Sequence, residues 1–245
     1  MSLLTPIIWI LLIFPLIVLG LITGNKVNFK FLVFFMLYFL ADCYIQHFSA
    51  QYFSSDFIGL KFAWVGKILC LILSLSIIFL LNKKDREEIG FTTKINTGKQ
   101  LKFGILFFLG FLLFDFAFKF ILFPKGGTFD LETFVFQSTM PGLAEEITFR
   151  GIGLWLLDKA FEPKWNFKGV KLGWGFVIVT ILFGVAHGAV LTQDHQFKFD
   201  IITILYLTLI SSLSLGILRK FSGSLLYSVL GHNCINLMNA IIRIL

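Results

Sequence analysis

Long apolar runs separated by short polar links make up most of the chain. The first run, from Leu3 to Thr23, carries no charge and is long enough to cross a bilayer as a helix, which takes about 20 mostly apolar residues. Similar runs follow at 31–48, 62–81, 103–123, 135–157, 172–191, 201–218 and 222–242. The pattern predicts an all-α fold, a polytopic membrane helix bundle of about eight transmembrane helices.

The first run has a second interpretation as a cleaved signal peptide. It has no basic start and no clean small-x-small cleavage site, and it is long for such a peptide. We therefore expect it to be a membrane span.

The composition supports a membrane protein. Hydrophobic residues make up 57% of the chain and charged residues 14%, whereas about a quarter of the residues of a soluble domain are charged. The mean hydropathy is +0.88. A soluble globule could not keep this much apolar surface out of water, and a disordered chain would be far more polar.

The net charge of +7 is concentrated in particular links. Most of the 21 Lys and Arg residues lie in the first, third, fifth and seventh links between the predicted spans. The positive-inside rule then places these odd-numbered links in the cytoplasm and both termini outside. We expect these charges to interact with the lipid bilayer of a bacterial cell membrane. We do not expect the chain to bind nucleic acid.

Several polar residues inside the runs have structural interpretations. Asp42 and Asp115 are predicted to form hydrogen bonds between helices, and Asn233 to make a polar helix contact. Lys61 and Lys67 are expected to extend toward the membrane surface. The three cysteines form no CxxC pair and are expected to be buried free thiols; they are Cys43, Cys70 and Cys234.

The fifth run holds the densest set of intramembrane charges. Each such charge costs roughly 2.5–3.5 kcal/mol on insertion scales, so each needs a reason. Glu146 and Arg150 are four residues apart and share a helix face, so they can pair. Glu145 lies about 100° away without a local partner, which suits a general base. A purely structural Arg–Glu clamp, with the other glutamate facing water, is an equally open interpretation.

Two later runs carry histidines at comparable depth. His187 follows Phe183 by one turn, and His232 precedes Asn236 by one turn. Taken singly, each histidine could be a hydrogen-bonded helix contact. Counted from the span ends, however, Glu145, His187 and His232 lie within about 10 Å of each other along the membrane normal. The spacing therefore predicts one shared site.

These motifs resemble the CPBP family of intramembrane proteases, the CAAX protease and bacteriocin-processing family. The resemblance is carried by Glu145-Glu146-x-x-x-Arg150, Phe183-x-x-x-His187 and His232-x-x-x-Asn236, in order and on separate spans. It covers about residues 135–242. It implies a single integral membrane domain over 1–245, with peripheral N-terminal spans in 1–134 and a catalytic core in 135–242.

The resemblance implies hydrolysis of peptide bonds in membrane-associated or peptide substrates. Glu145 would activate a water molecule with help from His187, while Glu146 would orient the site and pair with Arg150. His232 and Asn236 would stabilise the oxyanion.

The family is also labelled metalloprotease. Glu145, His187 and His232 could hold Zn²⁺ with one position left for water, and a metal-free glutamate mechanism is equally compatible with the sequence.

The sequence gives less support to other functions. The chain has no His-Glu-x-x-His, no Gly-x-Ser-Gly and no Gly-x-Gly-Asp, the motifs of other intramembrane proteases. A proton-coupled transporter would show internal repeats, and none is visible. A non-catalytic membrane scaffold or bacteriocin-immunity protein with the same fold is the main alternative.

Overall fold

A computed structural model describes residues 2–23, 27–53, 59–96 and 98–245. The α-helices are α1 (Thr5–Thr23), α2 (Phe29–Tyr52), α3 (Trp64–Leu80), α4 (Lys83–Ile89), α5 (Lys99–Leu122), α6 (Leu131–Gln137), α7 (Met140–Glu146), α8 (Leu154–Ala160), α9 (Trp174–Gly188), α10 (Ile201–Tyr206), α11 (Leu213–Ser222) and α12 (Leu225–Ile244). Two π-helical segments, Ile147–Gly153 and Leu207–Ser212, join α7 to α8 and α10 to α11 without a break.

The described residues also form two short antiparallel hairpins, which the apolar pattern does not predict. Strand β1 (Trp165–Phe167) pairs with β2 (Val170–Leu172), and β3 (Ala189–Leu191) pairs with β4 (Phe197–Phe199). The first hairpin occupies the fifth link, whereas β3 takes the last three residues of the run predicted as a span at 172–191, so helix α9 ends at Gly188. The prediction of an all-α membrane bundle is otherwise confirmed.

Five helical segments are long and apolar enough to cross a membrane. They are Thr5–Thr23, Phe29–Tyr52, Lys99–Leu122, Ile201–Ser222 and Leu225–Ile244. Two further predicted spans correspond to the shorter apolar helices α3 and α9. The count of eight transmembrane helices therefore stays a prediction.

The predicted span at 135–157 is divided in the structure. Helix α6 ends at Gln137, and α7 begins at Met140 with Pro141 in its first turn, where a missing N–H costs nothing. Asp130 caps α6 by accepting a hydrogen bond from the Thr133 N–H at 2.9 Å. Hydrogen bonds from Lys61 and Thr133 lower the pKa of Asp130 to about 2, so this cap stays ionised far below neutral pH.

The links group at two ends of the bundle. At one end, the Asn28 N–H donates to the Ala160 carbonyl, and the Asn96 N–H donates to the Ser222 carbonyl, which joins odd-numbered links. At the other end, Lys61 pairs with Asp130 at 2.7 Å. The odd links thus share one end, and its assignment to the cytoplasm stays a prediction.

Helices α7 and α8 and the π-helical segment between them run through the middle of the bundle. Ile147, Ile152 and Leu157 of this stretch belong to the main apolar core, which α1, α2 and α9 complete. Because the stretch is surrounded by other helices, its charged residues are shielded from lipid.

Buried acids in two other helices bind across helix boundaries, as predicted. Thr148 donates to Asp42 at 3.1 Å, and the Tyr206 hydroxyl donates to Asp115. Lys119, one turn from Asp115 on α5, pairs with it at 2.8 Å. The expectation for the cysteines is correct for Cys43 and Cys70 and wrong for the third, since Cys234 is exposed on the outer face of α12.

Helix α9 packs closely against the segment Ile201–Ser222 at a glycine. A Cβ at Gly184 would overlap Thr208 Oγ1 and lie 2.6 Å from the Ile204 carbonyl oxygen. Only a residue without a side chain allows this approach, which positions the C-terminal half of α9.

We expect Gly184→Ala to lower the free energy of unfolding by about 1–3 kcal/mol, because the added methyl group forces the two helices apart. Denaturant unfolding of the detergent-solubilised chain measures this change. Gly110→Ala is the matched control, since a Cβ at Gly110 meets no atom within 4 Å and gains helix propensity. Equal stability of the two variants would contradict the close packing.

Candidate active site

Five helical segments bring the charged residues of the site together. The side chains are Glu145 and Glu146 at the end of α7, Arg150 in the π-helical segment Ile147–Gly153, His187 at the end of α9, His232 in α12 and Lys67 in α3. The site therefore draws on segments far apart in sequence.

Glu146 and Arg150 form a buried ion pair, as the spacing predicts. Arg150 Nη1 lies 2.8 Å from Glu146 Oε1, and both side chains are almost completely buried. The other guanidinium nitrogen, Nη2, donates to Ser212 Oγ at 2.9 Å. The Phe183 ring lies 4.3 Å from the guanidinium carbon, a cation–π contact. These contacts fix Arg150 in one orientation.

Glu146 also holds His232. His232 Nδ1 lies 2.8 Å from Glu146 Oε1, the same oxygen that binds Arg150. Because a carboxylate accepts, Nδ1 carries the proton, and the other ring nitrogen, Nε2, points away from Glu146. The ion pair thus sets the orientation of the imidazole.

His187 is held by its own helix. Its Nδ1 lies 2.7 Å from the Phe183 carbonyl oxygen, which can only accept, so Nδ1 is the donor. In the neutral ring Nε2 is then an acceptor. The Phe183 ring packs against the imidazole with 4.5 Å between ring centres. The imidazole therefore has a fixed plane and a fixed tautomer.

Glu145 lies between the two histidines. Its Oε2 is 3.7 Å from His187 Nε2 and 3.9 Å from His232 Nε2. These separations exceed a direct hydrogen bond, and one small molecule can bridge them. The predicted convergence of Glu145, His187 and His232 is confirmed.

The other oxygen of Glu145 has a partner that the sequence interpretation missed. Lys67 Nζ lies 2.7 Å from Glu145 Oε1, and both side chains are mostly buried. The expectation that Lys67 extends to the membrane surface is therefore wrong. An ammonium group inside the bundle is costly alone and is stabilised by the carboxylate beside it.

A signal for this pair exists in the sequence. Lys67 lies inside an apolar run, and Glu145 has no partner within its own run. Two unpaired opposite charges within membrane spans tend to pair with each other. Ser212, which binds Arg150, carries no comparable signal because isolated serines are common in membrane helices.

Two of the three asparagines of α12 concern the site, and they differ in their contacts. Asn233 accepts a hydrogen bond from the Gly142 N–H at 2.9 Å, which ties α12 to α7 as predicted. Asn236 lies one turn beyond His232 and is partly buried. Among the described residues, no hydrogen bond joins Asn236 to Glu145, Glu146, His187 or His232. Its role in the site stays a prediction.

The predicted zinc ligands do not form a metal site in this structure. Within the described ranges, no three His, Cys, Asp or Glu side chains are placed to hold a metal ion. Glu145 is instead neutralised by Lys67. Lys67 thus supplies a balancing cation for Glu145, and zinc binding by Glu145, His187 and His232 stays a prediction.

Comparison with known proteins gives one match. Residues 127–238 match the family model described as type II CAAX prenyl endopeptidase Rce1-like. No curated protein and no solved structure matches the chain. The matched range contains both glutamates, both histidines and Arg150, and it excludes Lys67.

This match agrees with the resemblance to CPBP proteases and indicates an endopeptidase in a membrane-embedded bundle. The paired glutamates and the two histidines all lie on helices within the matched range. Over residues 127–238 the chain is therefore similar to the Rce1-like type II CAAX prenyl endopeptidases, which is consistent with the CPBP family of intramembrane proteases.

Proposed function

We propose that the chain is an intramembrane endopeptidase in which Glu145 activates the attacking water molecule. The observation that carries the proposal is the position of Glu145 Oε2, which faces Nε2 of both His187 and His232 at 3.7 and 3.9 Å. A water molecule between these atoms would be within hydrogen-bond distance of the Glu145 carboxylate and of both imidazole rings.

Lys67 keeps Glu145 competent as a base. The ammonium group holds Oε1 and balances the negative charge in a site with little water, so the carboxylate stays ionised. Oε2 then remains free to take a proton. In this role Lys67 supplies the positive charge that a metal ion would supply elsewhere.

His187 orients the water. Since its Nδ1 donates to the Phe183 carbonyl, its Nε2 accepts one O–H bond of the water molecule. The second O–H bond then points toward Glu145 Oε2, and an oxygen lone pair points toward the substrate carbonyl. The arrangement prepares the water for attack before the substrate arrives.

His232 stabilises the charge that develops on the substrate oxygen. In the proposed mechanism His232 is an imidazolium throughout the cycle, with one proton on Nδ1 that it donates to Glu146 and one on Nε2. Nε2 then donates to the oxyanion, and the amide of Asn236 is a second donor on the same helix face. Arg150 acts at a distance by holding Glu146.

The proton balance is complete without any other group. Glu145 takes a proton from water as the oxygen attacks the carbonyl carbon, and the carbonyl oxygen becomes the oxyanion. When the C–N bond breaks, Glu145 returns the proton to the leaving nitrogen. The products are a carboxylic acid and an amine, and Glu145 is again a carboxylate.

The substrate class is a peptide associated with the membrane. The family description names a CAAX prenyl endopeptidase, so a prenylated C-terminal peptide is one candidate. An unmodified membrane peptide is the other. Both bring a scissile bond to a site enclosed by helices.

We expect Glu145→Gln to lower peptide cleavage by at least about 100-fold, because an amide cannot take the proton from water. The assay uses purified chain in lipid nanodiscs with a fluorogenic peptide, in farnesylated and unmodified forms. Glu162→Gln is the control, since Glu162 is an exposed glutamate in a link. Wild-type cleavage by the Glu145 variant would instead favour a scaffold function.

We expect Lys67→Met to lower the turnover number by about 10- to 100-fold with little change in KM, because the carboxylate loses its balancing charge. Lys67→Arg should recover part of this loss. The exposed Lys61, which pairs with Asp130, gives the control Lys61→Met with unchanged turnover. Equal turnover for the Met and Arg variants at Lys67 would mean that its charge has no role.

We expect chelators to leave cleavage unchanged, because the acid and the histidines do not form a metal site. The measurement compares initial rates after dialysis against 1,10-phenanthroline or EDTA, with and without added Zn²⁺. A rate lost on chelation and recovered with zinc would contradict the metal-free mechanism.

A further inference from the structure

A polar cavity, separate from the candidate active site, lies at the end of the bundle that holds the odd-numbered links. It has a volume of about 550 Å³ and is bounded by α4, α8, α11 and the hairpin of β1 and β2. Its basic lining residues are Arg150, Lys159, Lys171, Arg219 and Lys220, and its acidic ones are Glu88 and Asp158. The cavity therefore carries more positive than negative charge.

The acids at the cavity are already paired. Glu88 Oε2 lies 2.7 Å from Lys159 Nζ, and Asp158 Oδ2 lies 3.0 Å from Lys220 Nζ. Asp158 Oδ1 is buried without a hydrogen bond to any described residue, but Lys220 balances the charge of this carboxylate. Arg219 is in neither of these ion pairs, and the charge of Asp158 acts on it only from a longer distance.

Arg219 is buried without a carboxylate partner in the described part of the chain. Its exposed fraction is 6%, and its side chain donates from Nη2 to the Glu88 carbonyl oxygen at 2.9 Å. Its Nε is buried and has no hydrogen-bond acceptor among the described residues. A buried guanidinium with unused donors is costly unless an anion accepts from it.

The backbone beside Arg219 is shaped to make room for the guanidinium. Gly90 ends α4 with φ of +89°, and a Cβ at this position would overlap the guanidinium atoms of Arg219. Both the positive φ and the close approach require glycine. The position of Arg219 at the cavity is therefore built into the fold of the third link.

Lys171 adds a second positive charge at the same cavity that is not part of an ion pair. It lies on β2, is exposed, and forms no ion pair with any residue in the described ranges. Its flexible ammonium group can therefore reach a ligand that is bound to Arg219 in the cavity.

We propose that this cavity binds a phosphate group, carried by an anionic phospholipid headgroup or present as free phosphate. Phosphate oxygens match the forked donors of a guanidinium and accept from an ammonium at the same time. The cavity lies among the basic links, and basic pockets between membrane helices are known to bind the headgroups of anionic lipids. Arg150 forms part of its wall and holds Glu146 of the active site.

The test titrates the purified full-length chain in neutral detergent with phosphatidylglycerol and, separately, with phosphatidylcholine of the same acyl chains. Native mass spectrometry gives the apparent Kd of each lipid, and inorganic phosphate is added as a competitor. We expect phosphatidylglycerol to bind at least about tenfold tighter than phosphatidylcholine. Competition by phosphate at millimolar concentration supports the same site, and phosphate binding without lipid selectivity assigns it to free phosphate.

Two variants and one control locate the binding. Arg219→Gln is expected to weaken phosphatidylglycerol binding by more than about tenfold, and Lys171→Gln by about fivefold. Lys164→Gln is the control, because Lys164 is an exposed lysine of the same link that does not line the cavity. If Arg219→Gln does not fold, Lys171→Gln decides alone. Equal affinity for both lipids without phosphate binding, or unchanged affinity in the variants that fold, would overturn the proposal.

Discussion

Two adjacent buried glutamates on one helix constrain the rest of this bundle. Glu145 and Glu146 are separated by about 100° around the helix axis, so each must find its cation on a different side. Glu146 finds Arg150 on the next turn, and Glu145 finds Lys67 on α3. Because a single unpaired carboxylate would be costly at this depth, α3 is bound to the centre of the bundle by electrostatics as well as by packing.

The contacts of Glu145 and Glu146 also indicate different roles for the two acids. Glu146 binds both Arg150 and His232 through Oε1, and its Oε2 is buried without a hydrogen-bond partner among the described residues. Glu145 gives one oxygen to Lys67 and keeps the other facing two imidazoles. The two acids differ in the surroundings of the second oxygen, since that of Glu145 faces two imidazole nitrogens, where a water molecule can be activated, and that of Glu146 does not.

The sequence predicted the parts of the structure that depend on local spacing. The ion pair of Glu146 and Arg150, the helix contacts of Asp42 and Asp115, and the shared level of the acid and the histidines all follow from helix periodicity and span length. Lys67 was assigned to the surface because periodicity contains no information about which helices are neighbours. The division of the fifth run between α6 and α7 has only a local signal, the polar residues 137–139 followed by Pro141, which is averaged out over the length of a membrane span.

The two helices that carry Lys67 and His187 are short for a membrane protein. Helix α3 has 17 residues and α9 has 15, which correspond to about 25 and 22 Å against a hydrocarbon core of roughly 30 Å. Such hydrophobic mismatch is relieved by local thinning of the bilayer. Thinning beside these helices would shorten the path that water must travel through lipid to reach Glu145. The short length of α3 and α9, which makes them difficult to assign as spans, would therefore favour hydrolysis inside the bundle.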